Sequence, residues 1–194
     1  VECGLRFWPK KKWKQALLVA FIAFIIVVPI AFVVIGYVNR EPAFKNGAPI
    51  AALSVSSPAF ENGAAIPTKY TALGENINPP LTVQGIPEGT ESLAVVVLDP
   101  VVPGVFSWAH WIVWNLPPTG DIAENTDAGV QGINSWNQQG YSGPDPVGER
   151  SYVFTVYALD ETLTLDANAG ASALLRAMDN HVLAKGQLIG TYQK

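Results

Sequence analysis

Cysteine and histidine are nearly absent from this chain. Its 194 residues include one cysteine, Cys3, and two histidines, His110 and His181. A lone cysteine excludes an internal disulfide and a Cys-based zinc site, and two histidines are too few for a His-rich metal centre. No metal and no other cofactor is expected. Charge is also scarce: Asp, Glu, Lys and Arg make up 14% of the chain against 49% hydrophobic residues, which excludes a disordered tail. Residues 1–45 hold seven basic and two acidic side chains, a surplus of five positive charges. Residues 46–194 hold only five basic against fourteen acidic, a surplus of nine negative charges. A region so poor in Lys and Arg has no electrostatic footprint for nucleic acid, which is not expected as a partner.

Residues 16–38, ALLVAFIAFIIVVPIAFVVIGYV, run for 23 positions without a charge. As a helix they would reach about 34 Å, enough to cross a hydrocarbon core. Trp13 and Tyr37 bracket the run as interfacial aromatics do, and Pro29 is tolerated better in a membrane helix than in a soluble one. The basic residues of segment 1–15 place it in the cytoplasm and everything after the span outside the cell membrane. A cleaved signal peptide is the alternative, but its apolar core would be shorter and end at a small-residue site. The expected plan is a basic N-terminus at 1–15, a single-pass signal anchor at 16–38, a tether at 39–52 and a domain at 53–194. The tether would span at most about 45 Å, so the domain could reach back to the membrane surface.

From Leu53 onward the pattern is all-β. Short β-prone runs stand at Leu53–Ser56, Leu81–Val83, Leu93–Leu98, Trp111–Leu116, Tyr152–Leu159 and Gln187–Tyr192, separated by Pro/Gly/Asn turn clusters. That spacing predicts a sandwich or barrel. One helix interrupts it, capped by Ser172, with Leu174, Leu175, Met178 and Val182 at helical spacing and Gly186 as a stop. His181 rides on this helix as a structural or exposed residue. The stretch 121–147 is long and poor in apolar residues, but Trp136 and Tyr141 argue for an ordered functional loop.

The chemically richest stretch is Ser92–Leu116, SLAVVVLDPVVPGVFSWAHWIVWNL. Asp99 closes its first apolar run and His110 opens the second, so a hairpin would bring a carboxylate and an imidazole to one mouth. The same pattern also fits a core hairpin with a loop Asp and a satisfied His.

In sequence order the blocks SPAFENGAAIPTKYTALGENINPPL, GIPEGTESLAVVVLDPVVPG, AHWIVWNLP, GVQGINSWNQQGYSGPDPVGERSYVFTVYALD and HVLAKGQLIGTY cover Leu53 to Tyr192. Together they resemble the phosphatidylethanolamine-binding protein family, in its bacterial and archaeal Raf kinase inhibitor-like branch. The resemblance implies a mostly β, Greek-key sandwich with one or two short helices, here preceded by the transmembrane helix. It also implies a shallow pocket for phosphate or a phosphorylated head group. By motif position, Asp99, Pro100 and Pro103 match the family's Asp-Pro-Asp-x-Pro segment and His110 its histidine. Gly143, Pro144, Pro146 and Tyr152 match its Gly-Pro-x-Pro … His-Arg-Tyr segment. The chain departs from the pattern at Val101, where the second Asp is usual, and at Arg150-Ser151, where His-Arg is usual. Both changes make the mouth more positive, and Arg150 either binds an anion or points to solvent.

Three functions follow. The first is a membrane-tethered, non-enzymatic binding module for a small anion, with Asp99 orienting His110 and with backbone N–H groups near Gly143 and the Tyr152 hydroxyl completing the cradle. The second is a regulator or inhibitor that docks a protein partner through the pocket rim or the 121–147 loop, its pocket vestigial. The third is a hydrolase using Asp99 and His110, with Ser107 or Ser142 as nucleophile, although neither serine sits in a nucleophile elbow.

Overall fold

The computed structural model describes residues 41–47, 51–102 and 106–194. The expected membrane helix at 16–38 and Pro103 lie outside these residues. Among the described residues no helix is long and apolar enough to cross a membrane.

The fold is built around β4 (Ser92–Val102), whose run of small and β-branched apolar side chains is buried on both faces. It pairs antiparallel with β5 (Phe106–Leu116) on one side and β8 (Arg150–Leu159) on the other. Strand β9 (Val182–Tyr192) lines the whole of β8. Two short strands complete this sheet, β1 (Ala51–Ala52) parallel to β9 and β7 (Val130–Gln131) antiparallel to β5, in the order β1-β9-β8-β4-β5-β7. A second sheet, in the order β2-β3-β6, holds β2 (Ser54–Ser56), β3 (Leu81–Gln84) and β6 (Asp121–Ile122). Leu93, Val95 and Val97 face the second sheet and pack with Val55, Leu81, Val83, Trp111 and Phe154. Ala94 and Val96 face the other way, toward Ile112, Trp114, Tyr157 and the helix α1 (Ala171–Ala177). Burying each large side chain is worth roughly 1.5–3 kcal/mol, so β4 is fixed from two directions at once.

The long chain between β5 and β8, read from sequence as one loop, contains β6 and β7 and is hydrogen-bonded along much of its length. The helix is shorter than its spacing predicts. Leu174 and Met178 are fully buried as expected, but α1 starts after Gly170 rather than at a Ser172 cap. It stops before Asn180, which takes the left-handed conformation at φ 68°. Val182 therefore does not extend the helical stripe; it opens β9, because pairing along all of β8 outweighs local helical preference. His181 lies in the turn between the two elements.

The segment expected as a tether is fastened where it is described. Glu41 accepts hydrogen bonds from the Tyr157 hydroxyl and Lys185 Nζ, both at 3.1 Å. The Ala43 amide donates to Asp179 at 2.6 Å, and Ala43 in turn accepts from the Asn180 amide at 2.9 Å. Phe44 bridges Val182 and packs on the helix-side core, and Lys45 pairs with Asp160.

Candidate functional site

Strands β4 and β5 are longer than the apolar runs that announce them, so Asp99 and His110 sit within strands rather than at loop ends. Asp99 lies opposite Trp108, and the register shifts just beyond it, at the point where Pro100 withholds an N–H from the ladder. From the other side, the first residues of β8 bring in Arg150 and Tyr152. The four side chains Asp99, His110, Arg150 and Tyr152 meet in one cavity of about 330 Å³, walled further by Trp108, Trp136, Asp145, Pro146 and Val147.

Arg150 faces inward. Its Nε lies 3.1 Å from both carboxylate oxygens of Asp99, and its Nη2 donates to Oδ1 at 2.6 Å. Asp99 thus takes the side edge of the guanidinium. The Nη1 end makes no hydrogen bond among the described residues, which leaves an outer fork of N–H groups unspent on a residue that lines the cavity. Asp99 and burial act on the guanidinium in opposite directions, and the hydrogen bond to Asp99 dominates, raising its pKa further.

The expectation that Asp99 orients His110 is corrected here. The imidazole Nδ1 lies 2.6 Å from the carbonyl oxygen of Ser142, and the Ser142 amide donates back to the His110 carbonyl at 2.8 Å. A carbonyl only accepts, so the proton is on Nδ1. The ring is held edge-on to Trp136 and Tyr152, with centroids at 4.8 and 5.0 Å. Burial lowers its pKa, against smaller opposing effects from the Ser142 hydrogen bond and the Asp99 charge. At neutral pH the imidazole is uncharged, and Nε2 is a lone-pair acceptor with no partner among the described residues. Burial and the Asp99 charge raise the Tyr152 phenol well above its usual range, so it stays protonated.

The wall carrying Trp136 is zipped to β5. Ala109 and Ser135 exchange hydrogen bonds at 2.9 Å through the Ala109 backbone and the Ser135 amide and hydroxyl. Buried Asn134 ties the loop internally: its Oδ1 accepts from the amides of Trp136 and Gln138, and its Nδ2 donates to Ser142 Oγ and the Gly140 carbonyl. Trp136 is 45% exposed and stacks at 5.4 Å on Trp108, itself partly exposed. Sequence reading singled out neither Trp108 as pocket wall nor Asn134 as its support. The local signal for Asn134 is Asn-Ser-Trp-Asn inside a polar loop, and that for Trp108 is its place two residues before His110 on the same strand.

Gly143 and Pro144 do not line the cavity. The Gly143 amide donates to Asn76 Oδ1 at 2.7 Å, and the Pro144 carbonyl accepts from the Ala72 amide at 3.0 Å. A Cβ at Gly143 would sit 2.5 Å from the Tyr70 carbonyl oxygen, so glycine there permits close packing of two loops. The backbone cradle expected around Gly143 is consumed by this packing, and Pro100 is likewise absent from the lining. Tyr141 is half-buried and donates to the Tyr70 carbonyl at 2.8 Å. Ser107 and Ser142 are not among the lining residues. The charges of the cavity cancel: Arg150 with Asp99, and Asp145 with Lys194 at 2.8 Å. Among the described residues no group of His, Cys, Asp and Glu is placed to hold a metal ion.

The chain matches the phosphatidylethanolamine-binding protein family over residues 56–193. A UPF0098 protein of Archaeoglobus fulgidus is 43% identical over 152 residues, which cover 73% of this chain and 51% of that one. This chain therefore spans about half of that relative's length. A UPF0098 protein of Methanothermobacter thermautotrophicus is 40% identical over 151 residues, covering 73% of this chain and 99% of that one. Among solved structures, a phosphatidylethanolamine-binding protein homolog from Chlamydia trachomatis superposes with a TM-score of 0.69 at 39% identity, covering 74% of this chain and 98% of that one. YbcL of E. coli, described as a new member of the mammalian PEBP family, superposes with a TM-score of 0.65 at 29% identity, covering 74% and 99%.

Proposed function

The chain belongs to the phosphatidylethanolamine-binding protein family, and from that premise we propose that it is a binding protein whose pocket takes a small anion or a phosphorylated head group. The observation that carries this is the Arg150 guanidinium, pinned along one edge by Asp99 and open along the other, in the same cavity as His110 Nε2 and the Tyr152 hydroxyl. The roles differ from those the residues suggest in sequence. Asp99 positions Arg150, the Ser142 carbonyl positions His110, and Arg150 is the anion-facing donor. Affinity is modest, because the region 46–194 is acidic and repels anions at long range and the cavity has no uncompensated positive charge.

Binding rather than hydrolysis is favoured by the separation of the would-be acid/base pair: Asp99 is turned to Arg150 and His110 to a backbone carbonyl. The uncharged run at 16–38 favours a protein anchored in the cell membrane with its domain on the outer side. Protease accessibility in intact cells tests that placement. A second reading, docking of a protein partner on the pocket rim, draws on exposed Trp136 and Val147.

Calorimetric titration of the full chain with phosphoethanolamine tests the pocket. Saturable binding that disappears in Arg150→Met is the expected result, and equal binding in that variant would remove Arg150 from the site.

A further inference from the structure

Resting on that reading of the pocket, we propose that it selects phosphoryl groups able to carry a proton, inorganic phosphate and phosphate monoesters, over sulfate and phosphodiesters, with His110 Nε2 as the acceptor that reads the proton. The tautomer decides what the ring offers the cavity. Nδ1–H is committed to the Ser142 carbonyl at 2.6 Å, and turning the ring over would leave that carbonyl facing carbon. The edge-on contacts with Trp136 and Tyr152 resist such a turn. A neutral imidazole held this way offers the cavity a lone pair and no N–H.

The groups sharing the cavity with the ring leave it neutral. Asp99 on β4 is held by Arg150 on β8, and Asp145, in the loop before β8, is held by Lys194 beyond β9. Tyr152 on β8 stays protonated. Burial opposes the cationic form and outweighs the Ser142 hydrogen bond and the charge of the paired Asp99, which favour it. An oxyanion entering the cavity meets two demands at once. Its oxygens face the outer N–H fork of Arg150, and one of them faces a lone pair.

An oxygen without a proton is repelled by that lone pair, and both groups go unsatisfied in a desolvated site. Sulfate and phosphodiesters carry no proton near neutral pH. A phosphate monoester monoanion carries one and donates it to Nε2. The second ionisation of a phosphate monoester lies near pH 6, so at pH 7.5 the free ligand is mostly the dianion. Binding then takes up close to one proton from solvent, shared between the phosphate oxygen and Nε2. The head group of an intact phospholipid is a phosphodiester, so the pocket prefers a free monoester to a lipid in a bilayer.

The test is calorimetry of the full chain at pH 7.5 with phosphoethanolamine, sulfate and glycerophosphoethanolamine, each in two buffers of different ionisation enthalpy. We expect the monoester to bind roughly tenfold or more tightly than either of the others, with proton uptake approaching one. Sulfate affinity should rise as the pH is lowered below the ordinary imidazole range, where the ring gains its second N–H. Binding of all three ligands within about twofold of one another, or monoester binding without proton uptake, would overturn the proposal while leaving the pocket as an anion site. Failure of all three to saturate would remove the pocket reading and this inference with it. In His110→Gln, whose amide can donate, the preference for monoester over sulfate should collapse, and an unchanged preference would also overturn it. If that variant does not fold, the wild-type ligand panel still decides.

Discussion

At the Arg150 end of β8 a histidine, a carboxylate and a cation surround a cavity; at the Leu159 end the same three kinds of group bond to one another. His110 spends one nitrogen on a backbone carbonyl and keeps the other for the pocket, and Arg150 spends one edge on Asp99 and keeps the other. At the far end, His181 Nδ1 bonds Asp160 at 3.0 Å and its Nε2 lies 3.5 Å from Glu161, while Asp160 also holds Lys45. The residue types alone do not separate a binding site from a structural clasp. What separates them is whether polar atoms remain unspent and face an enclosed space. The clasp closes the segment 41–47 onto the sheet, and the pocket stays available to a ligand.

The contrast can be broken or sharpened by experiment. The largest expected effect is at the pocket: Arg150→Met should weaken phosphoethanolamine binding by about 10- to 100-fold, the worth of charge-assisted hydrogen bonds, and should also lower the melting temperature, because it strands the buried Asp99 carboxylate. Arg150→Lys should not restore it, since a point charge cannot hold Asp99 and the ligand along separate edges. Starting the chain at Leu53 removes the clasp and β1. The loss of Phe44 packing and of several hydrogen bonds should cost about 2–4 kcal/mol and lower the melting temperature by about 5–15 °C. Pocket affinity should be unchanged, and a parallel fall in affinity would mean the two ends are coupled.

Smaller effects distinguish the two ends by pH. The unfolded His110 takes its proton near pH 6.5, whereas the folded ring, lowered by burial, takes it only at more acid pH. Acidification through that window therefore favours unfolding, and wild type should lose stability relative to His110→Gln, with a limiting slope of about 1.4 kcal/mol per pH unit. At the clasp, burial tends to raise the Asp160 pKa, but hydrogen bonds from Lys45 and His181 outweigh it and hold it below the usual range. Its contribution is present at neutral pH and is lost as the pH falls below about 4, so Asp160→Asn should cost under about 1 kcal/mol at pH 7 and nothing in strong acid. Denaturant melts across pH 3–8 check both.

Much of this was readable from residues in a row. The uninterrupted apolar run of β4 and the alternation in β8 are local signals, and Asp99, His110, Arg150 and Tyr152 stand out as polar residues at the ends of such runs. What was not readable is who pairs with whom. Asp99 lies eleven positions from His110 and fifty-one from Arg150, and only the pairing of β4 with β8 decides between them. The Gly143 amide was a plausible anion donor until Asn76 claimed it from sixty-seven positions away. The end of α1 turned on the conformation of Asn180 and on the pull of β8, neither visible in the spacing of Leu174, Met178 and Val182. Trp136 reads as a core residue by type, yet its loop holds it out beside the cavity.

The central claim is that the Arg150 end of β8 is a live anion site and the Leu159 end is not. The most direct measurement is a phosphoethanolamine titration followed by the nitrogen chemical shifts of the arginine guanidinium groups and both histidine rings. The account predicts saturating shifts at the Arg150 Nη atoms and at His110 Nε2, with the His181 ring unmoved. Unchanged Arg150 and His110 signals at high ligand concentration, or a His181 response equal to theirs, would contradict it.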